Sequence, residues 1–486
     1  MVGKILKKYK SLPVQVRASF WFLICAFFQK GISVITTPIF TRILTTSEYG
    51  DFSVWNSWLG IVTVFVSLNL YYGVFTSGLV RYEEDRTNFV TSLEGLNFLS
   101  CFIWLIIYLF TKTFWNHLFS VNTPQMLSML LMIWTTSIFN FWSSEQRVDF
   151  KYRSLVAITL IMAVAKPALG IVLVLNSQDK VTARILGLCI VEFVLFVPLF
   201  IHQRIKSKQF INTKYWKYAL LFNIPLIPHY LSQVILNSSD RIMIKNMVGS
   251  SEAGIYNLAY SIALIMTVFN TALMQTIEPW MYIKLKHDQA KDITKVAYGS
   301  FALVAMLNIL LIILAPEIVA IFAPAAYQSA IWLIPPIVMS VYFLYQYTFF
   351  AVVEFYYKKT QFISAATMIG AAVNLITNYV FIKMFGYQAA AYTTLGCYIL
   401  YVVFHYLFSR KLCRENLGYE IYNSNLIFLS SVGFLVVGFI SMALYINSFI
   451  RYTVLIGIVL LMIAFRKKLT FIVKNMLAIR KESKNG

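Results

Sequence analysis

The chain has 486 residues, of which 59% are apolar and 13% are charged, and its formal net charge is +21. A composition this apolar excludes an ordinary soluble domain. The sequence also contains no phosphate-binding loop of the Walker type, no paired cysteine spacing and no metal-ligand spacing, so it predicts neither a cofactor nor a metal.

Fourteen apolar segments fill nearly the whole chain, and each is predicted to form a transmembrane helix. They lie near residues 18–39, 52–75, 92–110, 124–142, 154–175, 184–201, 218–239, 254–275, 296–316, 330–353, 362–382, 389–408, 425–446 and 450–465. A helix needs about 20 residues, at about 1.5 Å each, to cross a hydrocarbon core of about 30 Å. The predicted fold class is therefore an all-α integral membrane protein.

The basic residues are distributed unevenly among the gaps between these segments. Of the 41 Lys and Arg, 31 lie in the two tails and in the gaps after even-numbered segments, whereas 8 lie in or beside the alternate gaps. Lys and Arg stay on the cytoplasmic side during insertion, so both termini are predicted to be cytoplasmic. Topology thus explains the positive charge, and nucleic acid binding is not indicated.

Two short echoes indicate an internal repeat. Residues 47–52 (SEYGDF) resemble residues 251–256 (SEAGIY), and Leu186-Gly187 resembles Leu395-Gly396. We expect residues 1–210 and 211–410 to be two six-helix bundles related by a pseudo-two-fold axis along the membrane normal. Residues 411–486 then add two transmembrane helices and a basic cytoplasmic tail. A single irregular bundle is the alternative.

Polar side chains recur on single helix faces in segments 1, 2, 7 and 8, the first pair of each proposed copy. A polar side chain gains nothing from facing lipid, so such faces indicate helix packing or a wet cavity. We expect the four faces to line a cavity between the halves, with an interhelical hydrogen bond as the alternative for any single residue. The substrate-binding candidates on these faces are Gln29 and Lys30 in segment 1, His229, Gln233, Asn237 and Asp240 with the adjoining Arg241 in segment 7, and Asn257 and Gln275 in segment 8.

Lys30 and Lys166 are the sharpest candidates because they lie near the middle of segments 1 and 5. A Lys at the bilayer midplane costs about 2.5–3.5 kcal/mol, so it usually faces protein or water and has a use. His229 is a candidate for linking transport to protons, since imidazole titrates near neutral pH. A histidine hydrogen-bonded between helices is the alternative for that residue.

Four carboxyl groups near or inside the segments are interpreted as structural. Glu278 and Glu354, at the cytoplasmic ends of their segments, are predicted to be solvated edges. Glu192 and Glu317 are predicted to be buried and protonated.

Several short runs occur in the order in which a known family has them. They are residues 40–44 (FTRIL) with 47–50 (SEYG), 239–241 (SDR) with 254–256 (GIY), 321–324 (IFAP) with Tyr327, 354–360 (EFYYKKT), and 374–379 (NLITNY) with 385–387 (FGY) and 389–394 (AAAYTT). Over residues 18–410 the chain resembles Wzx-type polysaccharide and O-antigen flippases, which belong to the multidrug, oligosaccharidyl-lipid and polysaccharide exporter superfamily.

The resemblance implies a transporter of the bacterial cell membrane and not an enzyme. It implies flipping of undecaprenyl-pyrophosphate-linked oligosaccharide units to the outer leaflet, for capsule, O-antigen or exopolysaccharide. The implied partners are this lipid-linked glycan and membrane lipid, with a polysaccharide polymerase and a chain-length regulator. Arg42, Asn374 and Asn378 lie in the matching runs and join the candidate substrate-binding residues.

Three other functions remain open on the residues alone. A multidrug-type antiporter of the same fold would prefer an acidic cavity, and two mid-segment lysines argue against it. A polysaccharide polymerase or ligase tends to carry a large outer loop, and no outer gap here is that long. A scaffold that transports nothing would have no use for lysines at the midplane.

Overall fold

The computed structural model describes residues 14–207 and 209–464, and the regular structure in this range is helical. The predicted basic start of the chain before residue 14 and the basic C-terminal tail lie outside the described residues. In chain order the α-helices are α1 Val14–Ile43, α2 Thr46–Val66, α3 Val74–Arg81, α4 Arg86–Phe119, α5 Thr123–Val148, α6 Tyr152–Leu175, α7 Lys180–Lys206, α8 Thr213–Asn223, α9 Ile227–Met247, α10 Ser250–Lys286, α11 Lys291–Ile313, α12 Ala315–Phe322, α13 Ile334–Tyr356, α14 Thr360–Phe385, α15 Ala389–Leu417, α16 Ser424–Ala443 and α17 Ser448–Ala464.

Local sequence motifs set where several of these helices begin. The Thr45 hydroxyl accepts the Glu48 N–H at 3.2 Å, and the Glu48 carboxylate accepts the Thr45 N–H at 2.7 Å. Asn122 and Gln125 form the same reciprocal pair at the start of α5, at 2.9 and 3.2 Å. Each such capping box satisfies backbone donors that the first helical turn leaves without a partner.

Twelve helical segments of the described chain are long and apolar enough to cross a membrane. The prediction of an all-α, multi-pass membrane protein is therefore confirmed, but the number fourteen is not. Predicted segment 2 overlaps α2, a 21-residue helix that begins before the segment and carries Glu48 and Asp51 in its first turns. Predicted segment 14 overlaps α17, whose described part has 17 residues.

The helix of segment 2 is also shorter at its end than predicted: it stops at Val66, whereas the apolar segment continues to residue 75. Leu68 and Asn69 adopt φ angles of 51° and 47°, in the left-handed region, which interrupts the helix. Asn223 Nδ2 donates hydrogen bonds to the carbonyl oxygens of both residues, at 2.9 and 2.7 Å. Irregular backbone inside a membrane protein is tolerated where protein groups satisfy it in this way. Tyr71, inside predicted segment 2, lies beyond the helix.

The chain divides into two compact units, Met1–Ile242 and Met243–Gly486. In the first unit α5 is the most buried of the membrane-crossing helices, with 67% of its most apolar stretch buried. In the second unit α13 is the most buried, with 83%. Each of these helices corresponds to the fourth segment of a predicted copy. The six-helix repeat and its boundaries at residues 210 and 410 stay predictions.

The echo between Gly187 and Gly396 does not extend to their packing. A Cβ atom on Gly187 would lie 2.7 Å from the Cα of Gly170, so α6 and α7 pack with their backbones in contact. A Cβ atom on Gly396 would meet nothing within 4 Å. The two positions therefore differ in how much space surrounds them.

Candidate substrate site

A polar pocket of about 230 Å³ lies between α10 and α13 in the second unit. Its lining consists of Thr267, Asn270, Thr271, Met274, Gln275 and Glu278 on α10, and Val341, Leu344, Tyr345 and Thr348 on α13. Several of the α10 residues belong to the polar face predicted for segment 8. Of the predicted candidates, the structure therefore places Gln275 in a pocket.

The pocket presents groups that donate and accept hydrogen bonds. Gln275 and Thr271 are exposed, and the Thr271 hydroxyl donates to the Thr267 carbonyl at 2.7 Å. The Oδ1 atom of Asn270 is buried and has no hydrogen-bond partner among the described residues. Glu278, which continues the predicted polar face of segment 8 at its cytoplasmic end, is half-buried and lines the pocket.

Lys166 is paired with a carboxylate in the first unit. Its Nζ lies 2.5 Å from Glu192 Oε1, and the two side chains are 23% and 4% exposed. Glu192 Oε2 accepts hydrogen bonds from the hydroxyls of Thr135 and Thr136, both at 2.9 Å. The cluster links α5, α6 and α7 and carries no net charge when both partners are ionised. Glu192 thus has a cationic partner where the sequence predicted a protonated carboxyl.

Glu317, also predicted to be protonated, has a basic partner as well. Arg451 Nη2 donates to Glu317 Oε1, and the Tyr452 hydroxyl donates to the same atom at 2.7 Å. These contacts attach α17 to α12 within the second unit.

The basic and polar candidates of segment 1 are only partly described. The side chain of Lys30 lies outside the described part of the structure, and Gln29 is half-buried on α1. Arg42 is exposed, and its Nη1 donates to the Pro38 carbonyl at 2.8 Å, one turn earlier in α1. Substrate contacts at these positions stay predictions.

The polar face of segment 7 forms a continuous ladder along α9. The His229 and Gln233 side chains approach to 3.3 Å, Asn237 Nδ2 donates to the Gln233 carbonyl at 2.7 Å, and Arg241 Nη1 donates to the Asn237 carbonyl at 2.9 Å. Gln233 and Asn237 are exposed, whereas Asp240 is 1% exposed. Asp240 therefore points away from the exposed part of the face to which the sequence assigned it.

Asn374 and Asn378 are fully buried and fasten α14 to α15. Asn378 Nδ2 donates to Asn374 Oδ1 at 3.2 Å, and Asn378 Oδ1 accepts a hydrogen bond from the Thr393 hydroxyl. Asn257 on α10 is half-buried, and its carbonyl accepts the Ser261 hydroxyl at 2.8 Å. Contact of these asparagines with substrate stays a prediction.

The sequence interpretation missed a buried acid–base pair in the second unit. His405 Nδ1 on α15 lies 2.8 and 3.0 Å from the two carboxyl oxygens of Glu354 on α13. Both side chains are 0% exposed, so the prediction of Glu354 as a solvated edge is wrong. The available signal was a histidine inside segment 12, but its partner lies 51 residues away in sequence.

A surface cluster joins α15 to the turn before α16. Arg414 Nε donates to Glu420 Oε1 at 2.7 Å, and Arg410 Nε lies 2.8 Å from the same oxygen. Burial raises the pKa of Glu420, but the hydrogen bonds and charges of the two arginines outweigh it and lower this pKa below its usual range.

Comparison with known proteins identifies the family. Residues 16–282, more than half of the chain, match the family described as polysaccharide biosynthesis protein. The chain belongs to this family. It is also 23% identical over 376 residues to an uncharacterized membrane protein of Haemophilus influenzae, a match that covers 74% of this chain and 88% of that protein.

Solved structures share the fold at low sequence identity. The lipid II flippase MurJ, in an inward closed conformation, matches with a TM-score of 0.70 and 15% identity over 92% of this chain and 99% of that chain. An inward-facing multidrug resistance MATE family transporter of the MOP superfamily matches with a TM-score of 0.59 and 10% identity over 80% and 95%. The protein is thus a multi-pass membrane protein of polysaccharide biosynthesis with a MurJ- and MATE-like fold, which confirms the resemblance drawn from its sequence.

Proposed function

We propose that the protein is a flippase for undecaprenyl-pyrophosphate-linked oligosaccharide units, which it moves from the cytoplasmic to the outer leaflet for surface polysaccharide synthesis. The observation that supports this most is the polar pocket between α10 and α13 in a member of the polysaccharide biosynthesis family. The amide of Gln275 and the hydroxyl of Thr271 can replace water around sugar hydroxyls, which otherwise lose hydrogen bonds inside the membrane.

The diphosphate and the sugars must cross a low-dielectric slab, while the polyprenyl chain can remain in lipid. Lys30, Arg42 and Arg241 are the basic residues that we assign to the diphosphate. Lys166 adds net positive charge only in a state in which Glu192 is separated from it or protonated. Alternating access with both termini in the cytoplasm completes the proposal.

Reconstituted protein in liposomes tests this function with a fluorescent polyprenyl-diphosphate-linked N-acetylhexosamine as the probe. Gln275→Ala and Thr271→Ala should each slow flipping about twofold to tenfold, because one hydrogen bond contributes about 0.5–1.5 kcal/mol. Thr453→Ala is the matched control, since its exposed hydroxyl donates only to the Phe449 carbonyl of its own helix. Wild-type protein that does not flip the probe, or pocket variants that flip it at the wild-type rate, would contradict the proposal.

A multidrug-type antiporter is the second candidate, and Glu278 favours it. A half-buried carboxylate in the pocket suits a cationic drug, and the fold is shared with a MATE transporter. Efflux of tetraphenylphosphonium from loaded vesicles separates the two functions. A flippase should not export this cation, whereas an antiporter should export it and should lose the activity in Glu278→Gln.

A further inference from the structure

Glu354 and His405 are fully buried against each other at one end of the contact between α13 and α15. We propose that they form a proton-binding site in the second unit and that transport exchanges the proton held there. The coupling to transport rests on the proposed flippase function, whereas the proton site rests on the geometry of the pair.

Aromatic rings enclose the imidazole. The rings of Tyr401, Tyr347 and Phe362 lie 4.4, 4.6 and 5.7 Å from the His405 ring. Among the described residues no basic side chain other than His405 lies within ion-pair distance of Glu354. The Nε2 atom of His405 has no hydrogen-bond partner in the same part of the chain.

The other titratable and charged groups around the pair do not neutralise it. Tyr347 on α13 and Tyr401 on α15 face it, and the Tyr401 hydroxyl is bonded to the Thr367 hydroxyl of α14 at 2.9 Å. Lys358 and Lys359 follow the end of α13, but their side chains are exposed. The charge on Glu354 is therefore balanced from within the pair.

The pair holds one exchangeable proton in its neutral state. That proton is either on the carboxyl group, with neutral imidazole, or on the imidazole, with a carboxylate. Loss of the proton to water leaves a carboxylate and a neutral imidazole, which is one net negative charge in a buried site. Such an unpaired charge is strongly disfavoured, so the proton leaves only when water reaches the pair.

The position of the pair indicates how water would reach it. Glu354 lies two residues before the end of α13, and its carbonyl accepts the Lys359 N–H at 2.9 Å where the chain turns. Separation of α13 from α15 at this end hydrates both groups and releases the proton. By linkage, proton binding stabilises the packed arrangement, and a higher pH favours the separated one.

Liposomes with an imposed pH gradient test the coupling, with the polyprenyl-diphosphate-linked N-acetylhexosamine as the probe. One proton exchanged per probe should shift its steady-state distribution between the leaflets about tenfold per pH unit of gradient. Glu354→Gln should abolish this shift, because an amide beside a neutral imidazole holds no exchangeable proton, and the double variant Glu354→Gln/His405→Gln should abolish it as well. The controls are Glu415→Gln, in an exposed pair with Lys411 on the same helix as His405, and His287→Gln, at an exposed position.

Thermal unfolding of the detergent-solubilised full chain tests the proton site without transport. In water an imidazole loses its proton near pH 6.5, so above this pH the packed protein holds one proton more than the unfolded chain. Between pH 7 and 9, each pH unit should therefore lower the folded-to-unfolded ratio of the wild type by up to a further factor of ten compared with Glu354→Gln, whose buried amide and neutral imidazole hold no exchangeable proton. Equal slopes for the wild type and Glu354→Gln would overturn the proton site.

The outcomes separate the two proposals. A wild type that flips the probe but ignores the gradient, or a Glu354→Gln protein that keeps the tenfold shift, overturns the coupling and leaves the flippase function standing. A wild type that does not flip the probe overturns the proposed function, and the pH slopes of unfolding then decide the proton site alone. If the Glu354→Gln protein fails to fold, the double variant Glu354→Gln/His405→Gln, which pairs two amides, decides both measurements.

Discussion

Lys166→Ala is expected to destabilise the protein by removing the counterion of a buried carboxylate. Glu192 would keep the two threonine hydroxyls but lose its charged partner at 2.5 Å. Removing one member of a buried pair typically costs about 3–5 kcal/mol. The expected loss in the free energy of unfolding is therefore about 3–5 kcal/mol.

The same argument predicts that the effects of substituting Lys166 and Glu192 are coupled. Glu192→Gln should rescue part of the loss, because the double variant buries no unpaired charge. The two residues should show a coupling free energy above about 1.5 kcal/mol, as contacting charged groups do.

Reversible unfolding in mixed detergent and sodium dodecyl sulfate micelles, for the wild type, both single variants and the double variant, measures these terms. Lys112→Ala, at an exposed position on α4, is the control. The reasoning is refuted by a Lys166→Ala protein as stable as the wild type, or by additive effects of the two substitutions. It would then follow that the pair adds no net stability.

Three further predictions concern packing, topology and surface charge. Gly187→Ala should lower the thermal unfolding temperature, because its Cβ would lie 2.7 Å from the backbone of Gly170. Gly396→Ala should instead stabilise its helix by roughly 0.5–1 kcal/mol, because its Cβ would meet nothing within 4 Å. Thermal unfolding scans of both variants compare the two effects. All five native cysteines are buried, so an impermeant thiol reagent added outside intact cells should label Gln178→Cys and not Gln209→Cys, and reversed labelling would reverse the orientation. Because the pKa of Glu420 is lowered, its ion pairs with Arg410 and Arg414 should stabilise the protein at pH values above the usual glutamate pKa. This stabilisation should be lost as the pH falls through the lowered pKa. Unfolding scans between pH 3 and 6 should show the loss in the wild type and not in Glu420→Gln.

The sequence by itself determined the membrane helices, several of their boundaries and the family. These features are local: a run of apolar residues crosses lipid whatever its neighbours are, and a capping box such as Thr45 with Glu48 closes within four residues. A polar helix face is also local, and Gln275, on the face predicted for segment 8, lines a pocket of the second unit.

Only the tertiary structure decided how the buried charges are paired and where the backbone breaks. Lys166 meets Glu192 because α6 packs on α7, and His405 meets Glu354 because α15 packs on α13, over 26 and 51 residues of sequence. The turn after Val66 is held by Asn223, whose amide reaches it from more than 150 residues away. Hydrophobic length and periodicity specify each helix against lipid, but they do not specify which helix adjoins it or how it is rotated about its axis. The partner of a buried charge depends on both, and this is why the charged residues were the ones that the sequence assigned least well.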